Sequence, residues 1–395
     1  MPHSLAPAQT ITTTKEIVDR ARAVASNFAA HTAAAEEARR ISRESVQEML
    51  AAGLARILVP PRFGGYGLDF DAWFDVVLEI SKVDASHGWC ASLMIHHAHV
   101  IGQFPEEAQQ AVWAEGPDVA IAASFAPATQ AIRVEGGYRV SGQNSTFASG
   151  VDHSSWVIVG GFVHEGGAPQ WNFFLIPPGE YQVRDTWFTA GMRATGSNTI
   201  VTDNVFVPNT RVLSLSDLRD GKGPGGALNE SPIFHTLFFH YAPLTFATPM
   251  LGAARGAYEY FREWTKTRRS ADGTLVAEKT SIQVRMARAA ADLDAAELLL
   301  RRAAQLPHTS GTRSPQLLAR SVRDFARASE LVVAAIDTII ALCGTAGFAT
   351  SHPIQRAWRD IHLASMHISL NTETNYAHFG RMEFGLGRDP KQPYC

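Results

Sequence analysis

The spacing of apolar and polar residues divides the chain into three parts. Residues 15–113 combine alanine, glutamate and arginine with apolar positions at helical spacing, which predicts helices on both sides of a Pro- and Gly-rich loop at 59–67. Over 119–207 the period changes to two, and a Gly136-Gly137 turn between alternating runs predicts a β-hairpin. Helical spacing then returns, and the predicted helices cover 242–267, 278–306, 314–343 and 353–379.

These elements predict an α+β multidomain protein. We expect an N-terminal helical domain at 1–116, a middle β-sandwich or barrel at 117–217, and a linker with a C-terminal four-helix bundle at 218–395. An apolar stripe at helical spacing runs through 331–340, and it is long enough to pack against another subunit. A homo-oligomer is therefore expected, although burial within one chain would give the same pattern.

Charge and cysteine content narrow the classes of protein. The net charge is -3, the pI is near 6.6, and no basic patch with interleaved aromatic residues occurs, so we do not expect nucleic acid as a partner. Cys90, Cys343 and Cys395 lie far apart without CxxC spacing, which predicts neither a disulfide framework nor a zinc site and favours the cytoplasm. The sequence begins without a signal-peptide pattern, and no run of eighteen apolar residues follows, so membrane insertion is not expected.

A glycine motif at 221–226 matches GxGxxG by letter only. The residues before it, 216–220, are polar and do not form a buried strand, and no βαβ pattern surrounds the motif. The GxxxxGK[ST] spacing of a phosphate-binding loop is absent as well. We therefore do not predict a nucleotide site of the Rossmann or P-loop type.

Two groups of polar residues are candidates for chemistry. His96, His97 and His99 lie on one predicted helix, where a metal site would lack a carboxylate or thiolate ligand, and structural or acid/base roles remain open. Spacing does not choose between His96 and His97. Ser124 follows an apolar strand, and a Ser- and Thr-rich run at 145–150 follows the hairpin; both also fit ordinary turn chemistry.

The segment 356–378 concentrates ionisable residues in an apolar part of the chain. Continuous helical spacing would place Arg356, Asp360, Leu363 and His367 on one stripe. Asp360 and His367 would then lie roughly 10 Å apart along the helix axis, which is too far for a direct catalytic dyad. His367 would act alone or with a partner from another part of the chain, and a buried structural histidine is the alternative.

Seven short motifs occur in an order that resembles the acyl-CoA dehydrogenase fold over nearly the whole chain. They are Val59-Pro60 with Phe63-Gly64-Gly65-Tyr66-Gly67, Val83-Asp84-Ala85-Ser86 with Gly88-Trp89, Gly136-Gly137-Tyr138 with Ser141-Gly142, Gly191-Met192-Arg193, Val207-Pro208, Ala254-Arg255-Gly256 and Gly344-Thr345-Ala346-Gly347. The dehydrogenases also carry a carboxylate base in a Y-E-G-T segment. The corresponding region here begins at His367 and reads H-I-S-L-N, without that carboxylate.

Without this carboxylate base, the chain resembles a sister branch of the acyl-CoA dehydrogenases, the reduced-flavin-dependent two-component monooxygenases. This branch includes p-hydroxyphenylacetate hydroxylase, a steroid-ring hydroxylase and the dibenzothiophene oxygenase. Its members have a histidine after a Gly-Trp pair, a serine on the first β-strand, an (S/A)-S-G turn and a histidine after a W-R-D helix. The matching residues are His97, Ser124, Ala148-Ser149-Gly150, Trp358-Arg359-Asp360 and His367.

The resemblance implies a function. A separate reductase would supply reduced FMN or FAD, O₂ would add to form a C4a-hydroperoxyflavin, and one oxygen atom would pass to a phenolic or indole-type aromatic substrate. The implied flavin-binding residues are Trp89, Ser124 near N5, Phe147, Ala148, Ser149, Gly150 and Arg268. The implied catalytic residues are His97, Ser124 and His367, with His367 taking the phenol proton, and the implied substrate-binding residues are His96, His97, Phe238 and His367.

Several alternatives stay open at this point. A dehydrogenase or nitroalkane-type oxidase would need a carboxylate base from another position, with Glu259, Glu263 or Glu373 as candidates. An S- or N-oxygenating monooxygenase would share the same motifs, and a non-catalytic protein could retain the fold. Arg268 would be a solvated helix-end charge if it does not bind flavin phosphate. The resemblance also implies a homotetramer.

Overall fold

The computed structural model describes residues 13–308 and 314–389, and the first third of them is helical. The helices are α1 (Thr14–Phe28), α2 (Thr32–Ala38), α3 (Arg43–Ala51), α4 (Phe70–Val83), α5 (Ala85–Ile101) and α6 (Glu106–Val112). Side-chain caps fix the first residue of several of these helices. For example, the Asp84 carboxylate accepts the His87 amide N–H at the start of α5. Every residue of α5 is buried, so this helix forms the centre of the helical layer.

The middle of the chain forms one mixed sheet of seven strands. The strands are β1 (Ile121–Val134), β2 (Gly137–Ala148), β3 (Trp156–Val163), β4 (Gln170–Ile176), β5 (Gln182–Arg184), β6 (Asn198–Pro208) and β7 (Val212–Ser214). Their order is β5-β6-β2-β1-β3-β4-β7, with β1 and β3 parallel and the other pairs antiparallel. The predicted hairpin is confirmed as β1–β2, and Gly136 at its turn has φ of 78°. The β1–β3 register breaks immediately after Ser124, where β1 leaves regular pairing.

The last third is helical again, with one difference from the prediction. The helices are α7 (Leu215–Arg219), α8 (Leu244–Thr265), α9 (Thr280–Ala304), α10 (Pro315–Cys343), α11 (Pro353–Ala364) and α12 (Thr372–Glu383). The single helix predicted at 353–379 was wrong, because a short 3-10 turn, Ile368–Leu370, separates α11 from α12. Capping explains the break: the His367 ring accepts the Ser369 amide, and the Asn371 side chain accepts the Thr374 amide.

The helices of the first and last thirds share one hydrophobic core. Gly88 on α5 and Gly252 on α8 both lie against Ser81 of α4, where an added Cβ would approach a Ser81 atom to 1.8 and 2.4 Å. These three helices therefore meet too closely for any larger residue at either glycine. The predicted order of a helical part, a β part and a second helical part is confirmed. The domain limits at 116/117 and 217/218 stay predictions, because one hydrophobic core runs across the helical parts.

The GxGxxG glycines follow the short helix α7 and serve close packing. An added Cβ would lie 2.5 Å from Gln103 Oε1 at Gly223 and 2.6 Å from the same atom at Gly226. At Gly225, which lies between them, it would lie 1.9 Å from the Phe104 carbonyl oxygen. The Gly225 amide also donates to the Gln103 carbonyl at 3.1 Å. Glycine is thus required here because the linker runs against the end of α5.

Helix α10 carries the apolar stripe noted in the sequence. Within this chain the stripe is covered, since Leu331, Val332, Ala335, Ile336, Ile339 and Ile340 are all buried. The stretch Pro315–Phe348 is long and apolar enough to cross a membrane by length and composition, with mean hydropathy 2.0, but half of its most apolar window is buried in the chain. A core helix passes the same test, and α10 packs against α8, α9, α11 and α12.

Candidate active site

Trp89 of α5, Ser149 beyond the end of β2, and His367 between α11 and α12 come together in space. Trp89 Nε1 donates to Ser149 Oγ at 3.0 Å. The His367 ring stacks on Phe246 of α8 with ring centroids 3.5 Å apart, and it meets the edge of Trp89 at 6.2 Å. Residues from four distant parts of the sequence thus form one wall of a site.

The end of β2 has an unusual backbone. Phe147 has φ of 64°, a conformation that costs a non-glycine residue about 1 kcal/mol or more, and its side chain is 68% exposed. Its ring meets Trp187 edge-on at 6.0 Å. Ala148 is buried in the sheet, and the Gly150 amide donates to the Thr195 carbonyl at 2.8 Å. The strained turn therefore presents an aromatic ring beside Ser149.

Ser124 lies on β1 just before its register break and is buried. Its hydroxyl donates to the Thr146 carbonyl at 2.8 Å. Because a carbonyl oxygen can only accept, the single hydroxyl hydrogen of Ser124 is used there. The oxygen of Ser124 can therefore take part in a further hydrogen bond only as an acceptor.

His97 is held at the same strand. Its Nδ1 lies 2.7 Å from the Ile121 carbonyl oxygen, so Nδ1 carries the hydrogen and Nε2 is an acceptor in the neutral ring. Burial lowers the pKa of His97 to about 4, which keeps the ring neutral near pH 7. Phe125, the residue after Ser124, packs edge-on against this ring at 5.7 Å. His97 and Ser124 thus place two acceptors next to one aromatic side chain.

The other two histidines of α5 differ from His97. His99 Nε2 lies 3.2 Å from the Ile233 carbonyl and its Nδ1 lies 3.2 Å from the Tyr241 hydroxyl, which is a satisfied structural arrangement. His96 is 1% exposed, and both of its ring nitrogens lack a hydrogen-bond partner among the described residues. Its ring stacks on Trp73 at 5.6 Å and lies 5.6 Å from Phe238. Desolvation lowers the pKa of His96 well below its ordinary value.

His367 presents a hydrogen-bond donor, whereas His97 presents an acceptor. Its Nδ1 lies 3.3 Å from the Ser369 amide nitrogen, which can only donate, and 2.7 Å from the Ser369 hydroxyl. The hydrogen of the neutral ring is therefore on Nε2. Burial lowers the pKa of His367 to about 3, so the ring is neutral near pH 7. Because the Ser369 amide occupies Nδ1, the group that His367 leaves for a ligand is the Nε2–H donor.

The site is elongated along α5. Trp89 and His97 are eight residues apart, which corresponds to roughly 12 Å along the helix axis. Ser149 and His367 lie at the Trp89 end, while Ser124 and Phe125 lie at the His97 end. This length suits two planar ring systems side by side better than one small molecule.

Arg268 lies in a different place. Its guanidinium donates to the Leu342 and Cys343 carbonyls at 3.1 and 3.0 Å and lies over the Trp264 ring at 4.4 Å. It therefore caps the C-terminal end of α10 beside Gly344, and its contacts do not include Trp89 or Ser149 of the same chain. A role in flavin binding would require the site of another subunit.

Two groups in the site gave no signal in the sequence, whereas Asp360 was singled out there without its partner, the Met192 amide. Phe246 underlies His367, and Thr195 and Ser197 extend the hydrogen bonds of Ser149. Asp360 is buried, and its Oδ1 accepts the Met192 amide at 2.5 Å. Desolvation and the nearby Asp84 carboxylate raise the pKa of Asp360 to about 7. The contacts of Phe246 with His367, of Ser197 with Ser149 and of Asp360 with Met192 join residues far apart in sequence, so no local spacing could reveal them.

The alternative carboxylate bases are exposed. Glu263 pairs with Lys266 at 2.6 Å and Arg262 at 3.0 Å on the outer face of α8. Glu259 and Glu373 are likewise on the surface. In the described part of the chain, these three carboxylates are therefore not placed beside Trp89, Ser149 or His97. This arrangement argues against the dehydrogenase alternative.

Comparisons with known proteins agree with this architecture. The profile of the acyl-CoA dehydrogenase N-terminal domain matches residues 12–116, and that of the C-terminal domain matches residues 244–372. The chain is 34% identical over 385 residues to HsaA, the oxygenase subunit of a flavin-dependent monooxygenase from Mycobacterium tuberculosis, with 94% of this chain and 93% of HsaA covered. It is 34% identical over 412 aligned residues to the oxygenase component of an FADH₂-dependent resorcinol hydroxylase from Rhizobium sp., covering 100% and 99% of the two chains.

A solved structure gives the same result. The crystal structure of 3-HSA hydroxylase from Rhodococcus sp. RHA1 matches with a TM-score of 0.91 and 33% identity, covering 96% of this chain and 99% of that one. The resemblance to the monooxygenase branch is therefore confirmed at the level of sequence and of structure. The chain belongs to the acyl-CoA dehydrogenase family and, within it, to the reduced-flavin-dependent monooxygenases.

Proposed function

We propose that this protein is the oxygenase component of a two-component monooxygenase that hydroxylates a small phenolic or indole-type aromatic compound. The polarity of the site carries the proposal: His97 Nε2 and Ser124 Oγ are both acceptors, as recognition of a phenol O–H or an indole N–H requires. Phe125 and Phe238 supply apolar surface for the ring. The names of HsaA and of resorcinol hydroxylase, which describe oxygenase subunits, support this assignment.

Reduced FMN or FAD is the proposed cofactor, and a separate reductase is the proposed partner that supplies it. The residues fit a planar tricyclic ring, because the buried Ser149 hydroxyl and the Trp89 indole are in contact, and Ser149 follows the exposed aromatic ring of Phe147 by two residues. When bound, reduced flavin reacts with O₂ and supplies the oxygen atom that is transferred. The chain then holds the flavin ring through Ser149 and keeps bulk water away with buried aromatic side chains.

His97 is the residue that we assign to the phenol proton. Its Nε2 lone pair accepts a hydrogen bond from the phenol O–H, which shifts negative charge onto the phenol oxygen and raises the electron density of the substrate ring before an electrophilic oxygen atom arrives. The sequence-based expectation gave this role to His367. The Nε2–H of His367 instead suits a hydrogen bond to an oxygen atom beside Trp89, where it stabilises negative charge.

The decisive experiment uses the purified protein, reduced flavin and ¹⁸O₂. We expect a phenol to gain one ¹⁸O atom per flavin oxidised, measured by mass spectrometry, when a flavin reductase and NAD(P)H are supplied. Running FMN and FAD in parallel identifies the preferred flavin. A thioether and an amine serve as matched substrates for S- and N-oxygenation.

Two results would contradict the proposal. Bleaching of bound oxidised flavin by an acyl-CoA thioester without reductase would establish dehydrogenase chemistry. Oxidation of reduced flavin to H₂O₂ alone, with every aromatic, thioether and amine tested, would show that the site does not transfer oxygen.

A homotetramer in the cytoplasm is the proposed state of the protein. Large apolar side chains of α9 are exposed on the single chain, including Val284 and Leu298, which lie close to one face of the helix at a spacing of fourteen residues. Arg268, placed away from Ser149 of its own chain, is available in an oligomer for the flavin phosphate of a neighbouring subunit.

A further inference from the structure

Ser149 is the first member of a chain of buried hydroxyl groups. Ser149 Oγ lies 2.7 Å from Ser197 Oγ, and Ser197 Oγ lies 2.6 Å from Thr195 Oγ1. Thr195 Oγ1 donates to the Met192 carbonyl at 2.9 Å. All three hydroxyl-bearing residues are at most 8% exposed, so their hydrogens cannot be satisfied by bulk water.

The hydrogen bonds from Ser149 through Ser197 to Thr195 form a hydroxyl relay, and counting the hydroxyl hydrogens fixes the direction of these bonds. A carbonyl oxygen only accepts, so Thr195 uses its single hydroxyl hydrogen on Met192. Thr195 must then accept from Ser197, and Ser197, having used its hydrogen, must accept from Ser149. The Ser149 hydrogen therefore points away from the Trp89 side. Ser149 Oγ already accepts Trp89 Nε1–H and has one lone pair left for a ligand.

The far end of the relay is rigid, because the backbone of Met192 is fixed by its own conformation and by hydrogen bonds of its amide and its carbonyl. Its backbone has φ of 47°, its amide donates to Asp360 at 2.5 Å, and its carbonyl also accepts Trp187 Nε1 at 2.8 Å. The carbonyl cannot turn away from Thr195 without losing these bonds. The direction of the hydroxyl relay is thus imposed by the backbone.

From this polarity we infer that Thr195 and Ser197 make the protein selective for reduced over oxidised flavin, an inference that rests on the proposed function. Reduced flavin carries an N–H at N5, whereas oxidised flavin carries a lone pair there. The sequence-based expectation placed Ser124 near N5, but Ser124 lies at the His97 end of the site, so we assign N5 to Ser149 beside Trp89. A Ser149 oxygen that can only accept forms a hydrogen bond with the N5–H of reduced flavin. With oxidised flavin, a lone pair of the Ser149 oxygen would face the lone pair of N5, and this repulsion is unfavourable in a buried site. The relay thereby favours the flavin form that a reductase delivers and releases the spent form.

The test is the ratio of the dissociation constants for oxidised and reduced flavin. Thr195→Val removes the hydroxyl with little change of shape, so Ser197 can donate to Ser149 and free the Ser149 hydrogen for a ligand. Ser197→Ala frees the same hydrogen directly. Both variants should lower the oxidised/reduced ratio by about tenfold, the scale of one buried hydrogen bond. Oxidised flavin is titrated in air and reduced flavin under anaerobic conditions, both by fluorescence or calorimetry.

Two matched variants serve as controls. Thr195→Ser keeps the relay hydroxyl and should keep the wild-type ratio. Ser154→Ala removes a hydroxyl that donates to the Gly150 carbonyl at 3.1 Å, next to Ser149 but outside the relay, and should also leave the ratio unchanged. Unchanged ratios in Thr195→Val and Ser197→Ala, or equal affinity of the wild type for both flavin forms, would overturn the inference. Failure of the wild type to bind either form would instead refute the proposed function.

Discussion

At the scale of single residues, hydrogen-bond polarity separates the two candidate bases. His97 exposes an acceptor and His367 exposes a donor, so His97→Ala should lower kcat for a phenolic substrate by roughly 10²- to 10⁴-fold. Because burial lowers the pKa of His97 to about 4, the ring stays neutral above that pH and loses its acceptor only below it. The kcat/KM profile should therefore not fall through this group between pH 8 and 5. A loss with a midpoint near 6.5 that disappears in His97→Ala would contradict this assignment.

His96 provides a second test at the same scale. A buried imidazole with two unpartnered nitrogens costs stability, roughly 1–3 kcal/mol for each unsatisfied polar group. His96→Phe keeps an aromatic ring against Trp73 and should raise the melting temperature of the ligand-free protein. If His96 binds substrate, the same variant should raise KM. A lower melting temperature would mean that an unseen partner, such as internal water, satisfies His96.

At the scale of elements, Asp360 joins α11 to the segment 189–198 that supports Ser149. Asp360→Ala removes the acceptor of the Met192 amide, and amide exchange in 189–198 should become roughly ten- to a hundredfold faster, measured by hydrogen exchange and mass spectrometry. Asp360→Asn retains an acceptor and should exchange nearly as slowly as the wild type.

Asp337 supplies the control for this prediction. Its carboxylate holds the same helix from the other side, accepting Trp358 Nε1 at 2.7 Å and contacting His362 Nε2 at 2.9 Å. Asp337→Ala should therefore loosen α11 without accelerating exchange in 189–198. Equal acceleration by both alanine variants would show general destabilisation rather than positioning by Asp360.

Elements were predictable from the sequence where their signals are local. The period of the apolar residues and the positions of proline and glycine indicated the helices, the hairpin and the linker. The order of the motifs indicated the fold. The break between α11 and α12 was missed because it depends on the side chains of His367 and Asn371 bonding backbone amides, which helical spacing does not encode. The relay from Ser149 to Thr195 was missed because Thr195 and Ser197 lie 46 and 48 residues beyond Ser149 and meet it only in the folded chain.

At the scale of the whole molecule, the exposed apolar face of α9 predicts association. Leu298 is 71% exposed on the single chain, and Leu298→Glu should shift the protein towards smaller species in light scattering coupled to size-exclusion chromatography. Ile132→Glu, at a site on β1 that is 67% exposed, is the matched control and should leave the mass unchanged. A wild-type protein that elutes as a monomer would refute the homotetramer, and with it the sharing of Arg268 between subunits.

The backbone at Phe147 has a consequence for engineering. A phenylalanine at φ of 64° occupies a conformation that glycine adopts without strain, and its exposed ring contributes little to folding. Phe147→Gly should therefore change the free energy of unfolding by less than about 1 kcal/mol, because relief of strain offsets the greater freedom of the unfolded chain. The same variant should weaken flavin binding about two- to tenfold, the scale of one lost aromatic contact. A design procedure that scores folding alone would accept glycine at this position and would discard a ring that we propose contacts the flavin.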